Sequence, residues 1–264
     1  DDRLRFLLAD SGAPVLLELP TDRPRPARQD HSEDTLDVTI DAACTARLKT
    51  FCERHGTGVQ TALLAAWATT LARLSNQQTA VIACHPPEMH DTRAAAVAQG
   101  GDVLPLRVDL GDGPSVAGLM RQVAQRMSQA LDHPGLSFAQ IAEAVSVSGE
   151  GRHAPLCQAS LAWSEGDASH AGTSRAAPAD GEARFDLNLD LADHDGRVEG
   201  RFAFATALFD RTTAERILDC WRNCLDAMAD ADDLPAAALP ILSDSAQSRI
   251  LQLWNARVED YPQP

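Results

Sequence analysis

The sequence predicts an α/β protein, with helices layered over a mixed sheet, and three observations carry that expectation. Apolar residues recur at helical spacing in some stretches, alternate with polar ones in others, and the two patterns follow each other between glycine- and proline-marked breaks. Strand-type segments interleaved with helix-type segments require a sheet with helices packed on it. A chain of 264 residues, 44% of them hydrophobic, is long enough to bury a sizeable core.

Residues 1–34 carry Pro14, Pro20, Pro24 and Pro26 among charges, which suits an extended strap over a surface; Leu4 to Leu8 reads as the end of a helix. Leu36, Val38 and Ile40 alternate as a half-buried strand over Thr35–Ile40, and a helix follows from Ala42 to His55 with its stop at Gly56. Thr57 is placed to cap the next helix, whose Val59, Leu63, Leu64, Trp67, Leu71 and Leu74 make it a buried, alanine-rich core element.

Val81–Cys84 is a short strand, Pro86–Gly101 a loop, and Val103–Leu110 a strand again. Gly111-Asp112-Gly113-Pro114 turns into a helix marked by Val116, Leu119, Met120, Val123, Met127 and Leu131. After a break at Pro134-Gly135 come a short helix over Phe138–Val145 and a strand over Leu156–Trp163; residues 164–183, rich in Ser, Ala, Gly and Asp, read as a surface connection.

The clearest local signal lies between Phe185 and Phe204. Phe185, Leu187, Leu189 and Leu191 alternate with polar residues, Asp195-Gly196 supplies a turn, and Val198, Gly200, Phe202 and Phe204 alternate again, so a β-hairpin is expected. Thr212 or Thr213 then opens an amphipathic helix with Ile217, Leu218, Trp221, Leu225 and Met228 inward; Asp230–Leu239 reads as a linker and Ala246–Trp254 as a last helix.

Charge and composition exclude several function classes. A net charge of −15 and a single lysine, Lys49, argue against a nucleic-acid partner, which needs clustered cations. No run of about eighteen apolar residues and no basic-then-apolar leader is present, so the sequence predicts neither a membrane partner nor secretion, and a cytoplasmic protein is expected. The six cysteines sit in apolar segments without paired CxxC spacing and read as reduced, buried thiols. Cys220 and Cys224 share a helix face, and His85, Glu88 and His90 lie close in sequence, but neither group has the ligand number a metal site requires. Asp1 at one end and Tyr261-Pro262-Gln263-Pro264 at the other read as cuts in a larger protein.

Chemistry enters through resemblance. Leu17-Glu18-Leu19-Pro20-Thr21-Asp22-Arg23-Pro24-Arg25-Pro26 resembles the proline-rich crossing between the two lobes of nonribosomal peptide synthetase condensation domains. The resemblance continues in order through Leu48-Lys49, Thr61 to Leu74, Leu104-Pro105-Leu106-Arg107-Val108-Asp109-Leu110 and Pro155-Leu156-Cys157-Gln158. Phe185-Asp186-Leu187-Asn188-Leu189, Leu208-Phe209-Asp210-Arg211-Thr212-Thr213, and Trp254-Asn255 with Asp260-Tyr261-Pro262 complete it.

The resemblance implies one chloramphenicol-acetyltransferase-like lobe, the C-terminal of two, with a mixed, mostly antiparallel sheet covered by helices. It divides the chain into an inter-lobe strap at 1–34, the lobe at 35–232, and a linker toward an adenylation domain at 233–264. The implied activity is amide formation between carrier-bound thioesters. The partners implied are an N-terminal lobe, peptidyl carrier proteins and a downstream adenylation domain. No cofactor is expected to bind directly; the phosphopantetheine arms of the carriers arrive as substrates.

The family's general-base motif, His-His-x-x-x-Asp-Gly, belongs to the other lobe, and this chain has no adjacent histidine pair. The look-alike at His194 reads as a solvated turn residue, and the chain alone is expected to be inert. Asp102, where the family has an asparagine, His133 and Trp163 are the residues expected along the tunnel wall, and Arg107 is expected to anchor its strand. The departures at Ala98, Gln99 and Asp102 keep a second reading open, a non-catalytic platform that recruits a tailoring enzyme such as an oxygenase. A stand-alone acyltransferase is a minor third. A lobe that docks on a partner is also expected to expose an apolar patch.

Overall fold

The computed structural model describes residues 16–26, 30, 32–85, 103–131, 157–165 and 185–255. In chain order these form β1 (Glu33–Ile40), α1 (Ala42–Arg54), α2 (Val59–Leu74), β2 (Thr79–Cys84), β3 (Leu104–Asp109), α3 (Val116–Leu131) and β4 (Ala159–Glu165). Then come β5 (Leu187–His194), β6 (Arg197–Ala205), α4 (Arg211–Met228), a 3-10 turn (Ala236–Ala238) and α5 (Asp244–Asn255). The expected helices at Leu4–Leu8 and Phe138–Val145, the loop at Pro86–Gly101 and the connection at 164–183 lie outside the described residues, apart from the end of β4.

The strands form one six-stranded sheet in the order β1-β6-β5-β4-β2-β3. Its β1–β6, β5–β6 and β2–β3 pairings are antiparallel, while β2–β4 and β4–β5 are parallel, so the expected mixed, mostly antiparallel sheet is what forms. Alternation decides which face is covered. Leu36, Phe202, Leu189 and Leu161 stand in register on one face and are buried under the helices. The opposite face carries Asp37, Arg201 and Asp190 in one row and Thr35, Ala203, Asn188 and Ser160 in the next.

The helical layer is organised around α2, which is buried on nearly every side. Trp67 links the layers: its ring meets Phe202 of the sheet edge-on at 5.7 Å between centroids and Trp221 of α4 at 6.5 Å. Asp41 ends β1 and caps α1 by accepting the amide of Cys44 at 2.8 Å. The turn between β5 and β6 is made by Asp195 and Gly196, both at positive φ, as a two-residue hairpin demands.

Three expectations need correction. Thr57 does not cap α2; the cap position is Gly58, with no side-chain bond. α4 opens at Arg211 rather than at Thr212 or Thr213, with Asp210 in the cap position. The start of the expected linker packs on the lobe: Ala236 and Leu239 are fully buried, Arg73 donates to the Leu239 carbonyl, and the Val116 amide donates to Leu234 O at 2.9 Å. Its small and apolar side chains fill space beside α2 and α3, which a composition-based reading cannot see. Among the described residues the exposed large hydrophobics are Leu234, Leu242 and Leu251.

The strap, residues 16–26, runs across one end of the sheet and is bonded at each strand it passes. Gln77, ahead of β2, donates to Leu16 O (2.8 Å) and accepts the Glu18 amide (2.9 Å). Gln158, ahead of β4, accepts the Leu17 amide at 3.0 Å, with Leu17 and Leu19 buried beneath. Asp186, ahead of β5, takes both guanidinium nitrogens of Arg25, at 2.9 and 2.5 Å. Past the end of β6, Arg23 pairs with Asp210 and donates to Thr206 O (3.1 Å), while Leu208 O accepts the amides of Asp22 (2.9 Å) and Arg23 (3.3 Å).

Asp22 supplies the missing cap of α4. Its carboxylate accepts the Asp210 amide at 2.7 Å and the Thr213 hydroxyl at 2.9 Å. The Asp210 amide is the main reason its pKa lies below the usual carboxylate value; burial pulls the other way, and Thr213, Arg23 and Arg216 lower it further. A carboxyl group with a depressed folded pKa stabilises above its unfolded pKa, and that stabilisation disappears as pH falls through the folded value.

Urea titration tests the cap and the hairpin. Asp22→Ala is expected to cost about 0.5–1 kcal/mol at pH 7, limited by solvent screening, and the gap from wild type should close as pH drops below the usual carboxylate pKa. At Gly200 a Cβ would lie 2.0 Å from the Asp190 carbonyl oxygen, with the Leu191 Cα also closer than contact distance. Gly200→Ala therefore forces β5 and β6 apart and should lower stability by about 2–3 kcal/mol in the same titration.

Candidate functional site

The parallel strands β2, β4 and β5 point their carboxyl ends the same way, to the end of the sheet opposite the strap. Such ends are where open α/β sheets leave a crevice, because the chain departs from neighbouring strands in different directions. Here the α1–α2 connection lies beside the ends of β4 and β5, and a cavity of about 660 Å³ opens between them.

Each wall has a local cause. The start of α2 contributes its cap residue Gly58 and its first residue Val59, and the last turns of α1 contribute Lys49, Cys52 and Glu53. Trp163, near the end of β4, and Asp193 and His194, closing β5, form the sheet side. Lys49 Nζ meets Asp193 Oδ2 at 2.5 Å, joining helix to sheet across the cavity wall, and Asp193 Oδ1 accepts the Gly196 amide at 3.0 Å. Trp163 is 4% exposed, and its indole N–H has no acceptor among the described residues.

The cysteine that lines the cavity is not a ready nucleophile. The Cys52 thiol is pushed up to about 11 by burial, against an opposing hydrogen bond from Thr57. Burial likewise raises the other five thiols, Cys44 and Cys224 to about 11, Cys84 to about 12, and Cys157 and Cys220 in the same direction. All six are therefore protonated at neutral pH, and a thiol is a poor nucleophile. Among the described residues, no group of three His, Cys, Asp or Glu side chains is arranged to hold a metal ion.

Of the residues singled out in the sequence, Trp163 is brought to the cavity. Arg107 lies in β3 opposite Val81, half-buried on the face away from the helices, and does not line the cavity. Asp102, His133 and His90 lie outside the described residues. His194 is not a solvated turn residue: Asp195 and Gly196 make the turn by themselves, so His194 stays in the ladder opposite Arg197, half-buried against the cavity. The Lys49–Asp193 pair was missed; the signals that mark it are that Lys49 is the single lysine of the chain and that Asp193 precedes a tight turn.

A family model described as Condensation domain matches residues 9–251. By sequence the chain is similar to malpinin synthetase of Mortierella alpina, with 36% identity over 255 residues covering 94% of this chain and 3% of that protein. It is also similar to malpibaldin synthetase of the same organism, with 30% identity over 256 residues covering 95% of this chain and 5% of that protein. The chain thus spans a small fraction of the length of the curated relatives it matches.

In fold it is similar to holo-AB3403, a four-domain nonribosomal peptide synthetase bound to AMP and glycine: TM-score 0.78, 21% identity, 92% of this chain and 20% of that one. It is similar as well to the X-domain of teicoplanin biosynthesis in its complex with OxyB, with TM-score 0.76, 25% identity, 92% of this chain and 56% of that one.

Thiol labelling checks the inert character of the cysteines. At pH 7.5 the native protein should react with a disulfide reagent far more slowly than a free cysteine, and unfolding should release all six. A single thiol reacting at the rate of a free thiolate would reopen the nucleophile question.

Proposed function

Because this chain belongs to the condensation-domain family of nonribosomal peptide synthetases, we propose that it is the C-terminal lobe of a condensation domain. In this reading residues 1–34 cross from an N-terminal lobe, 35–232 form the present lobe, and 233–264 lead toward an adenylation domain. The reaction is attack by a carrier-bound amine on a carrier-bound thioester. The C–N bond forms, the C–S bond breaks, the thiol leaves on its phosphopantetheine arm, and the amine's proton passes to a base.

Catalysis of that kind rests on positioning two tethered reactants and helping one proton to move. The observation that carries the reading is a family match running almost end to end through a chain whose eight histidines include no adjacent pair. This lobe then supplies a wall, with Asp102, His133 and Trp163 toward the tunnel and Arg107 anchoring its strand, and the other lobe supplies the base. Carrier proteins and an adenylation domain are its partners within one long polypeptide. Among the described residues no helix is long and apolar enough to cross a membrane.

A second reading has an observation of its own. The likeness to the X-domain, solved together with OxyB, supports a platform that recruits a tailoring enzyme to a carrier-bound amino acid. A platform need not keep a passable tunnel, and Asp102 in place of the tunnel asparagine fits that relaxation.

A carrier-to-carrier transfer assay separates these. Residues 1–264 alone should give no amide product, and the same residues joined to their N-terminal lobe should give it. Turnover by 1–264 alone overturns the two-lobe dependence. No turnover by the two-lobe protein at saturating loaded carriers, with retention of a tailoring enzyme on a column bearing it, favours the platform.

A further inference from the structure

The strap is bonded along its described length, and its anchors lie on elements far apart in the chain. We infer that residues 16–26 act as a rigid spine of this lobe, and that Arg25, Asp186 and Asp22 are positioning residues that set the lobe's orientation to whatever the strap connects. The inference rests on the two-lobe reading for its consequence in catalysis and on the structure alone for the spine.

Three features make the spine stiff. Pro20, Pro24 and Pro26 hold φ near one value within the docked stretch itself. The Arg25–Asp186 pair is bidentate, with side chains 17% and 7% exposed, so it resists both sliding and rotation and is poorly screened by solvent. Asp186 is itself fixed on both sides, its amide donating to Gln158 O at 2.8 Å and its carbonyl accepting from Ala205 at 2.9 Å. Asp22 ties the same strap to the first turn of α4. An extended segment held at Gln77, Gln158, Asp186, Leu208 and Asp210 turns with the sheet as one body.

Amide synthesis between two tethered reactants depends steeply on geometry, so a loosened spine should reduce turnover more than carrier binding. In the two-lobe protein, Asp186→Asn is expected to expose the amides of Leu17, Glu18, Asp22 and Arg23 to hydrogen exchange while those of α2 stay protected. The distribution of distances between spin labels, one on each lobe, should broaden. The transfer kcat should fall about tenfold or more, with KM for the loaded carriers within about twofold of wild type. Exchanging the charges, Arg25→Asp with Asp186→Arg, should narrow the distribution again and recover part of kcat. Arg47→Gln, which removes the surface pairs with Asp226 and Asp230 far from the strap, serves as the control and should leave the distances unchanged.

An unchanged distance distribution in Asp186→Asn, or exchange in α2 that rises with that of the strap, overturns the spine. A wild-type two-lobe protein that transfers nothing, but whose distances broaden in Asp186→Asn, leaves the spine standing and removes the amide-forming reading.

Discussion

The Arg25–Asp186 pair is the constraint on which the rest of the structure depends. A guanidinium and a carboxylate with most of their surface removed from water hold each other only if both forks of the contact are made, and here both are. Asp186 sits where the chain enters β5, the strand between the antiparallel hairpin and the parallel pair. That point joins Arg25 of the strap to Gln158 ahead of β4 and to Ala205 at the end of β6. The proline-rich segment needs this help, because it lacks a full set of backbone donors and cannot stabilise itself by a ladder.

The strap and the cavity lie at opposite ends of the sheet. The strap occupies the amino ends of β2, β4 and β5, which leaves their carboxyl ends for the cavity beside Trp163, Asp193 and His194. Trp67 keeps the helical layer at a set height over the sheet by packing between Phe202 and Trp221. The Lys49–Asp193 pair ties α1 to β5 at the cavity wall.

Much of the fold was legible in the sequence because it is written in local periodicity. The β5–β6 hairpin could be read from alternation and an Asp-Gly turn, and α2 from apolar spacing on an alanine-rich background. What failed was what depends on distant partners. A threonine before a helix ordinarily caps it, yet Thr57 leaves the cap position of α2 to Gly58, and the carboxylate that accepts the Asp210 amide at the start of α4 comes from Asp22 across the fold. A run containing Asp, Pro and Ala ordinarily links domains, yet Ala236 and Leu239 are buried. The site was less legible still: Trp163 came from a family resemblance, and no spacing rule joins Lys49 to Asp193.

The two functional readings place unequal demands on these parts. Under either proposed reading the strap, the buried α2 and the sheet keep the same work, because both readings set this lobe beside a neighbour. The phrases that carried the resemblance most strongly, from Leu17 to Pro26 and around Asp186 and Asp210, are those that build the spine, so they identify the architecture and are neutral between the two activities. Discrimination must come from residues that a passage for two tethered arms requires and a platform does not. Under the proposed reading those positions are Asp102 and its sequence neighbours ahead of β3, a strand whose first residues lie at the same end of the sheet as the cavity. A carboxylate there in place of an amide changes both charge and hydrogen-bonding capacity while leaving every bond of the spine intact.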